Sequence, residues 1–122
     1  MERVHLVLGY ATVALNLLVG VWGLARRSTP MAERRADAWF VQIRATAITT
    51  VIATGIAGLL LLADSGSPDD PLHVRVYGPF MVLAFVVAAG FRADSTALRF
   101  QRVIAVASLV VAALGLRALF TA

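Results

Sequence analysis

Cysteine and lysine are both missing from these 122 residues. Without cysteine there are no disulfides, no thiolate metal sites and no cysteine nucleophile, while the redox compartment stays open. Charge of either sign is scarce: 15 % of the residues are charged and 60 % are hydrophobic. Soluble domains run nearer roughly 25 % and 45–50 %. So short a chain cannot hide that much apolar surface in a water-soluble core, because small domains keep too much of their surface exposed. Lipid is the remaining solvent. The net charge of +4 does not indicate a nucleic-acid partner, since no basic stripe interleaved with aromatics is present.

What is there reads as one transmembrane domain over residues 1–122. Four apolar blocks reach or approach the roughly 20 residues that cross a bilayer as helix: Val4–Ala25, Ala45–Ala63, Leu72–Phe91 and Val103–Phe120. Helix is required because hydrocarbon offers the backbone no partners. The expected fold is all-α, an integral membrane four-helix bundle, with helices one–two and three–four as two pseudo-repeated hairpins. The first block is expected to be retained: Glu2 dilutes a signal-peptide charge, and "GLARRS" is a poor cleavage site. Thr29-Pro30 is expected to start a long second helix running to about Leu62. Asp70-Pro71 would start the third, and Asp94 or Ser95 would cap the fourth. Trp22, Trp39 and Phe40 are expected to form an interfacial belt.

The arginines set an orientation. Arg26, Arg27, Arg34, Arg35 and Arg44 flank the first connection, and Arg92, Arg99 and Arg102 the third; Arg3, Arg75 and Arg117 lie towards the other side. The positive-inside bias then places connections one and three in the cytoplasm of a bacterial cell and both termini outside its inner membrane.

Small and polar residues recur at helical spacing. Gly9, Thr12, Asn16, Gly20 and Gly23 mark helix one, and Thr46, Thr50, Thr54 and Gly58 helix two. Ala84 and Ala88 mark helix three; Ala105, Ser108, Ala112 and Gly115 mark helix four. These are the seams expected to bring backbones together in lipid. Asn16, mid-span, needs partners, and Thr50 is a candidate. No Asp or Glu lies inside any block, which argues against proton-coupled transport. The layout is similar to that of small multidrug-resistance transporters, without the glutamate they need in their first span. The glycine-arginine signature of fluoride channels is missing too. A transport path along Asn16 and Thr46–Thr54 is the weakest of the readings.

The two histidines share a context. "VHLVLGY" (Val4–Tyr10) opens the first block and "PLHVRVYG" (Pro71–Gly78) the third, giving His-x-x-x-Gly-Tyr against His-x-x-x-Tyr-Gly. A parallel arrangement of two hairpins would put His5 and His73 at one depth on facing helices. That suits an iron between two imidazoles, or a metal ion helped by Asp69 and Asp70. Gly9, one turn after His5, would leave room for a flat macrocycle. The alternative is two amphipathic residues at headgroup depth that need no cofactor. "VHLVLGY" resembles the histidine-bearing spans of four-helix b-type haem modules such as those of haem A synthase. The resemblance implies haem b with His5 and His73 as axial ligands; Tyr77 stands where the second small residue should be. The order of features over nearly the whole chain ("GVWGL", "WF", "LH…YG") resembles small four-span membrane proteins of unknown function from high-GC bacteria.

No nucleophile–base grouping can be assembled, so the chain is expected not to be an enzyme. The leading expectation is an accessory or structural subunit in the lipid bilayer, packed against a larger membrane complex or a second copy and carrying no cofactor. The alternative is the bis-histidine haem or metal module.

Overall fold

The computed structural model describes residues 2–25, 34–66, 71–90 and 97–121. They form helices α1 (Glu2–Ala25), α2 (Arg34–Ser65), α3 (Gly78–Gly90) and α4 (Ala97–Thr121), with a π-helical turn, His73–Tyr77, leading into α3. Among the described residues there is no strand, and four helical stretches are long and apolar enough to span a membrane: Glu2–Ala25, Ala38–Ser65, His73–Gly90 and Arg99–Thr121. The second begins well before the expected Ala45. Thr29, Pro30, Asp69, Asp70, Asp94 and Ser95, on which the expected helix starts and carboxylate ligands fall, lie outside the described residues.

The 32 residues of α2 rise about 48 Å at 1.5 Å each, more than a hydrocarbon core of about 30 Å. Gly66 ends the helix at φ 82°, a left-handed conformation that costs glycine nothing. Its N–H returns to the Leu62 carbonyl at 3.1 Å, covering one of the free carbonyls of the last turn.

The helices pack in the order α2, α1, α4, α3, with α1 held most closely by α4 and then by α2, while α2 and α3 barely meet. The α1–α4 contact is glycine-dependent. An ideal Cβ at Gly20 would stand 2.5 Å from Leu109 Cγ and Cδ2 and 3.1 Å from the Ala105 carbonyl oxygen. One at Gly23 would stand 2.7 Å from Ala105 Cβ. Bare backbone at these positions lets the helices approach where lipid provides no hydrophobic drive. Thr12, Asn16, Gly20 and Gly23 are buried, as are Ala105, Ser108, Ala112 and Gly115. The seams of α1 and α4 thus meet as their spacing indicates.

Apolar residues fill both ends. Val19, Phe40 and Ala47 form one core cluster between α1 and α2, and Ala88, Ile104 and Ala107 another between α3 and α4. Val51, Tyr77, Met81, Val111 and Ala118 link α2, the π-turn, α3 and α4. The expected aromatic belt divides here. Trp39 is exposed, but Phe40 is only 2 % exposed and packs edge-on against Trp22, ring centroids 5.7 Å apart. One residue of helix advances the side chain by about 100°, so Trp39 and Phe40 cannot share a face.

Candidate bis-histidine site

His73 lies on the π-turn, and the sequence around it supplies the cause. Pro79 has no N–H to give to the carbonyl four residues back, and its ring would press on that carbonyl, of Arg75. Winding the preceding turn more widely relieves this contact. Such single π-turns recur at functional sites. In this wide turn positions four apart nearly stack, and the His73 and Tyr77 rings meet edge to face, centroids 6.3 Å apart at 89°.

His5 reaches the same place from α1. Its ring and that of His73 are 6.0 Å apart between centroids, inclined at 62°. The two histidine rings thus come together at one end of the bundle. His5 is also tucked against α2. An ideal Cβ at Gly58 would stand 3.0 Å from His5 Cε1, 3.4 Å from Nδ1 and 3.9 Å from Nε2. Gly58, expected to be a helix-packing residue, therefore serves as the floor for an imidazole. Nδ1 of His5 is buried without a partner. Nδ1 of His73 is also buried without a partner. Two unpaired buried imidazole nitrogens thus share one end of the bundle.

The other anticipated residues fall as follows. Gly9 faces α4, where Leu119 Cδ2 would lie 3.2 Å from its Cβ, so that side of helix one is filled by leucine. Tyr77 is buried in the core and touches His73 rather than His5. Asn16 does not pair with Thr50. Its Nδ2 donates to the Thr12 carbonyl at 2.8 Å and towards the Ala47 carbonyl at 3.5 Å. The Thr50 hydroxyl donates to Ala47 O at 2.8 Å. Thr54 is the residue that crosses between helices, its hydroxyl 2.8 Å from that of Thr12. Thr46 points outwards and bonds its own helix at Gln42 O. A polar track therefore runs from Thr54 through Thr12 to Asn16, along the α1–α2 contact.

Two contributors escaped the sequence reading. Pro79 was a visible signal, six residues past His73. Leu119 carried none, since its role is set by the register of α1 on α4. Comparison with family models, curated proteins and solved structures finds no match for this chain.

Proposed function

We propose that this small multi-pass membrane protein is a non-enzymatic module that holds a transition metal, as haem b iron or as a bare ion, between His5 and His73. The observation that carries the reading is the pair of imidazoles with two buried, unpartnered nitrogens. A buried polar atom left without a partner costs about 1–3 kcal/mol, and hydrocarbon cannot supply the missing bond. A ligand that accepts both lone pairs removes that cost. Two histidines that merely sat at headgroup depth would have water to bond. The arrangement of arginines supports an inner-membrane location in bacteria with the histidine end, and both termini, outside the cytoplasm.

The test is purification of the full chain in mild detergent, followed by metal analysis and an oxidised-minus-reduced absorption spectrum. The expected result is one metal or one haem per chain, absent from His5→Ala and His73→Ala. A folded wild-type protein that takes up neither, even when offered them, refutes the reading.

A second reading, an accessory subunit of a larger complex or a homo-oligomer, is favoured by a separate observation. A shallow apolar groove of about 330 Å³ runs between α3 and α4, lined by Phe80, Leu83, Val87, Val103, Val106 and Val110. A helix of a partner would fit it as lipid does. Stoichiometric native co-purification or self-crosslinking along Val87 and Val106 supports this reading; a lone monomeric species in native membranes contradicts it.

A further inference from the structure

We infer that the groove between α3 and α4 holds an acyl chain of one anionic phospholipid, whose phosphate is gripped by Arg99 and Arg102 where the groove ends. The histidines lie at the opposite end of the bundle, so this site is separate from theirs. Three features of the groove lead there. The first is shape. Ala88 and Ala107 are buried and form a low floor, and Leu83, Val87, Val106 and Val110 stand along its edges, each about half exposed. Small side chains between branched ones leave a trough. The residues lining it are all apolar, so its occupant presents hydrocarbon to them.

The second is length. The lining runs from Phe80 to Ala88 on α3 and from Val103 to Val110 on α4, which at 1.5 Å per residue is about 10–12 Å. One leaflet contributes half of a hydrocarbon core of about 30 Å, or roughly 15 Å. A partner helix would cross the whole core and needs a seam along all of it. A trough confined to one leaflet fits a molecule confined to one leaflet.

The third is charge. Arg99, Val103, Val106 and Val110 follow one another at spacings of four, three and four, so Arg99 stands on the groove's own face of α4. Arg102 lies one turn before Val106. Both arginines are exposed. Helical side chains lean towards the N-terminus of their helix, and here that carries the two guanidinium groups out of the hydrocarbon to headgroup depth. Neither α3 nor α4 contains a carboxylate to offset them. Guanidinium pairs with phosphate through two parallel hydrogen bonds. It has five donors, so Arg99 can take a phosphate alongside its other contacts. Basic pockets between spans at this depth select acidic headgroups. An apolar trough one leaflet long that ends on two cations matches an anionic phospholipid in chain, length and charge.

The experiment offers the full chain, in mild detergent, dioleoyl-phosphatidylglycerol and dioleoyl-phosphatidylcholine at equal concentration, with the bound species read by native mass spectrometry. The expected result is one phosphatidylglycerol per chain, retained in preference to phosphatidylcholine. Arg99→Gln and Arg102→Gln, checked for folding by circular dichroism, should each weaken it by about fivefold, the worth of one basic residue at an anionic surface. In liposomes, phosphatidylglycerol with a diazirine midway along one acyl chain should label the wild type at Val87 or Val106. Unlabelled phosphatidylglycerol should displace that label and soluble glycerol phosphate should not. Equal retention of the two lipids, arginine variants with wild-type preference, labelling spread evenly over the four spans, or displacement by glycerol phosphate overturns the inference. So does crosslinking of Val87 or Val106 to another polypeptide in native membranes, which would assign the groove to a partner helix. The labelling pattern of the wild type decides the matter even if both variants fail to fold.

Discussion

Replacing Gly20 by alanine probes the contact on which the bundle rests. The new Cβ would sit 2.5 Å from Leu109 Cγ and Cδ2, where carbon atoms prefer about 3.5–4.0 Å. The shortfall is roughly 1–1.5 Å. Because Cγ is the branch point of leucine, rotation of the outer methyl groups cannot withdraw it. Leu109 must leave its rotamer, or α1 and α4 must separate. The second route also relieves the Ala105 carbonyl, 3.1 Å from the same Cβ. Overpacking of this kind costs about 1–3 kcal/mol. Alanine also gains helix propensity of roughly 1 kcal/mol over glycine, which would mask part of the loss. Gly55 cancels that term: it lies on α2 with nothing within 4 Å of its would-be Cβ, so Gly55→Ala reports propensity alone. Reversible unfolding in mixed micelles of increasing SDS content, followed by tryptophan fluorescence, should place Gly20→Ala about 1–3 kcal/mol below Gly55→Ala. Gly20→Leu should be lower still. If the two alanine variants agree within about 0.5 kcal/mol, then α1 and α4 do not meet through Gly20 and the register described above is wrong.

Gly58→Ala should push the His5 ring aside by a few tenths of an ångström and lower metal uptake more than it lowers stability; equal losses in both would mean that Gly58 packs helices only. Thr12→Val and Thr54→Val, combined in a double-mutant cycle, should show coupling of about 0.6 kcal/mol and at most about 1.7 kcal/mol, whereas additive effects would refute the hydroxyl pair. Asn16→Ala should cost about 1–2 kcal/mol through its lost bond across to α2, measured in the same SDS titration, with no effect expected if the amide served only its own helix. Reporter fusions should place the segment after Ser65 outside the cytoplasm and the segment after Ala25 inside; the reverse pattern would overturn the reading of the arginines.

Hydrophobic length alone specifies four helices, because hydrocarbon leaves the backbone no other choice. The small-residue seam of α1 was equally readable: Gly9, Thr12, Asn16, Gly20 and Gly23 recur every three or four positions and turn inwards together. Helix two was harder. Thr46 and Thr50 carry the same side chain at helical spacing, yet one faces outwards and the other the core. A threonine hydroxyl can bond its own helix anywhere, so composition does not mark which face is buried. Phe40 shows a second limit, since nothing local distinguishes a belt aromatic from one that the long α2 has rotated inwards onto Trp22. The histidines were findable as a pair from their shared context. Their surroundings were not: Gly58 beneath His5 and Leu119 beside Gly9 depend on how α1 sits against α2 and α4. Those registers are set by interhelical packing, which a single sequence does not print.

The polar atoms within the bundle separate into two kinds, and the separation bears on where function lies. Thr46, Thr49, Thr50, Thr54 and Thr121 each return a hydroxyl to a carbonyl of their own helix. Their donors are satisfied within their own helix, and they are tolerated for that reason, although Thr54 also meets the Thr12 hydroxyl. Nδ1 of His5, Nδ1 of His73, Oδ1 of Asn16 and Oγ of Ser108 are buried without partners. Asn16 keeps a compensation, because its amide nitrogen reaches across to α2. Ser108 carries one small hydroxyl that can turn. The histidines have neither excuse. Imidazole is bulky, packs poorly into a leucine-rich seam, and would be replaced at no loss by leucine or phenylalanine if packing were its only task. Two of them instead converge from separate spans, one seated on a glycine and the other presented by a turn that Pro79 has widened. The unpartnered imidazole nitrogens at that end are therefore the feature on which the proposed ligand rests.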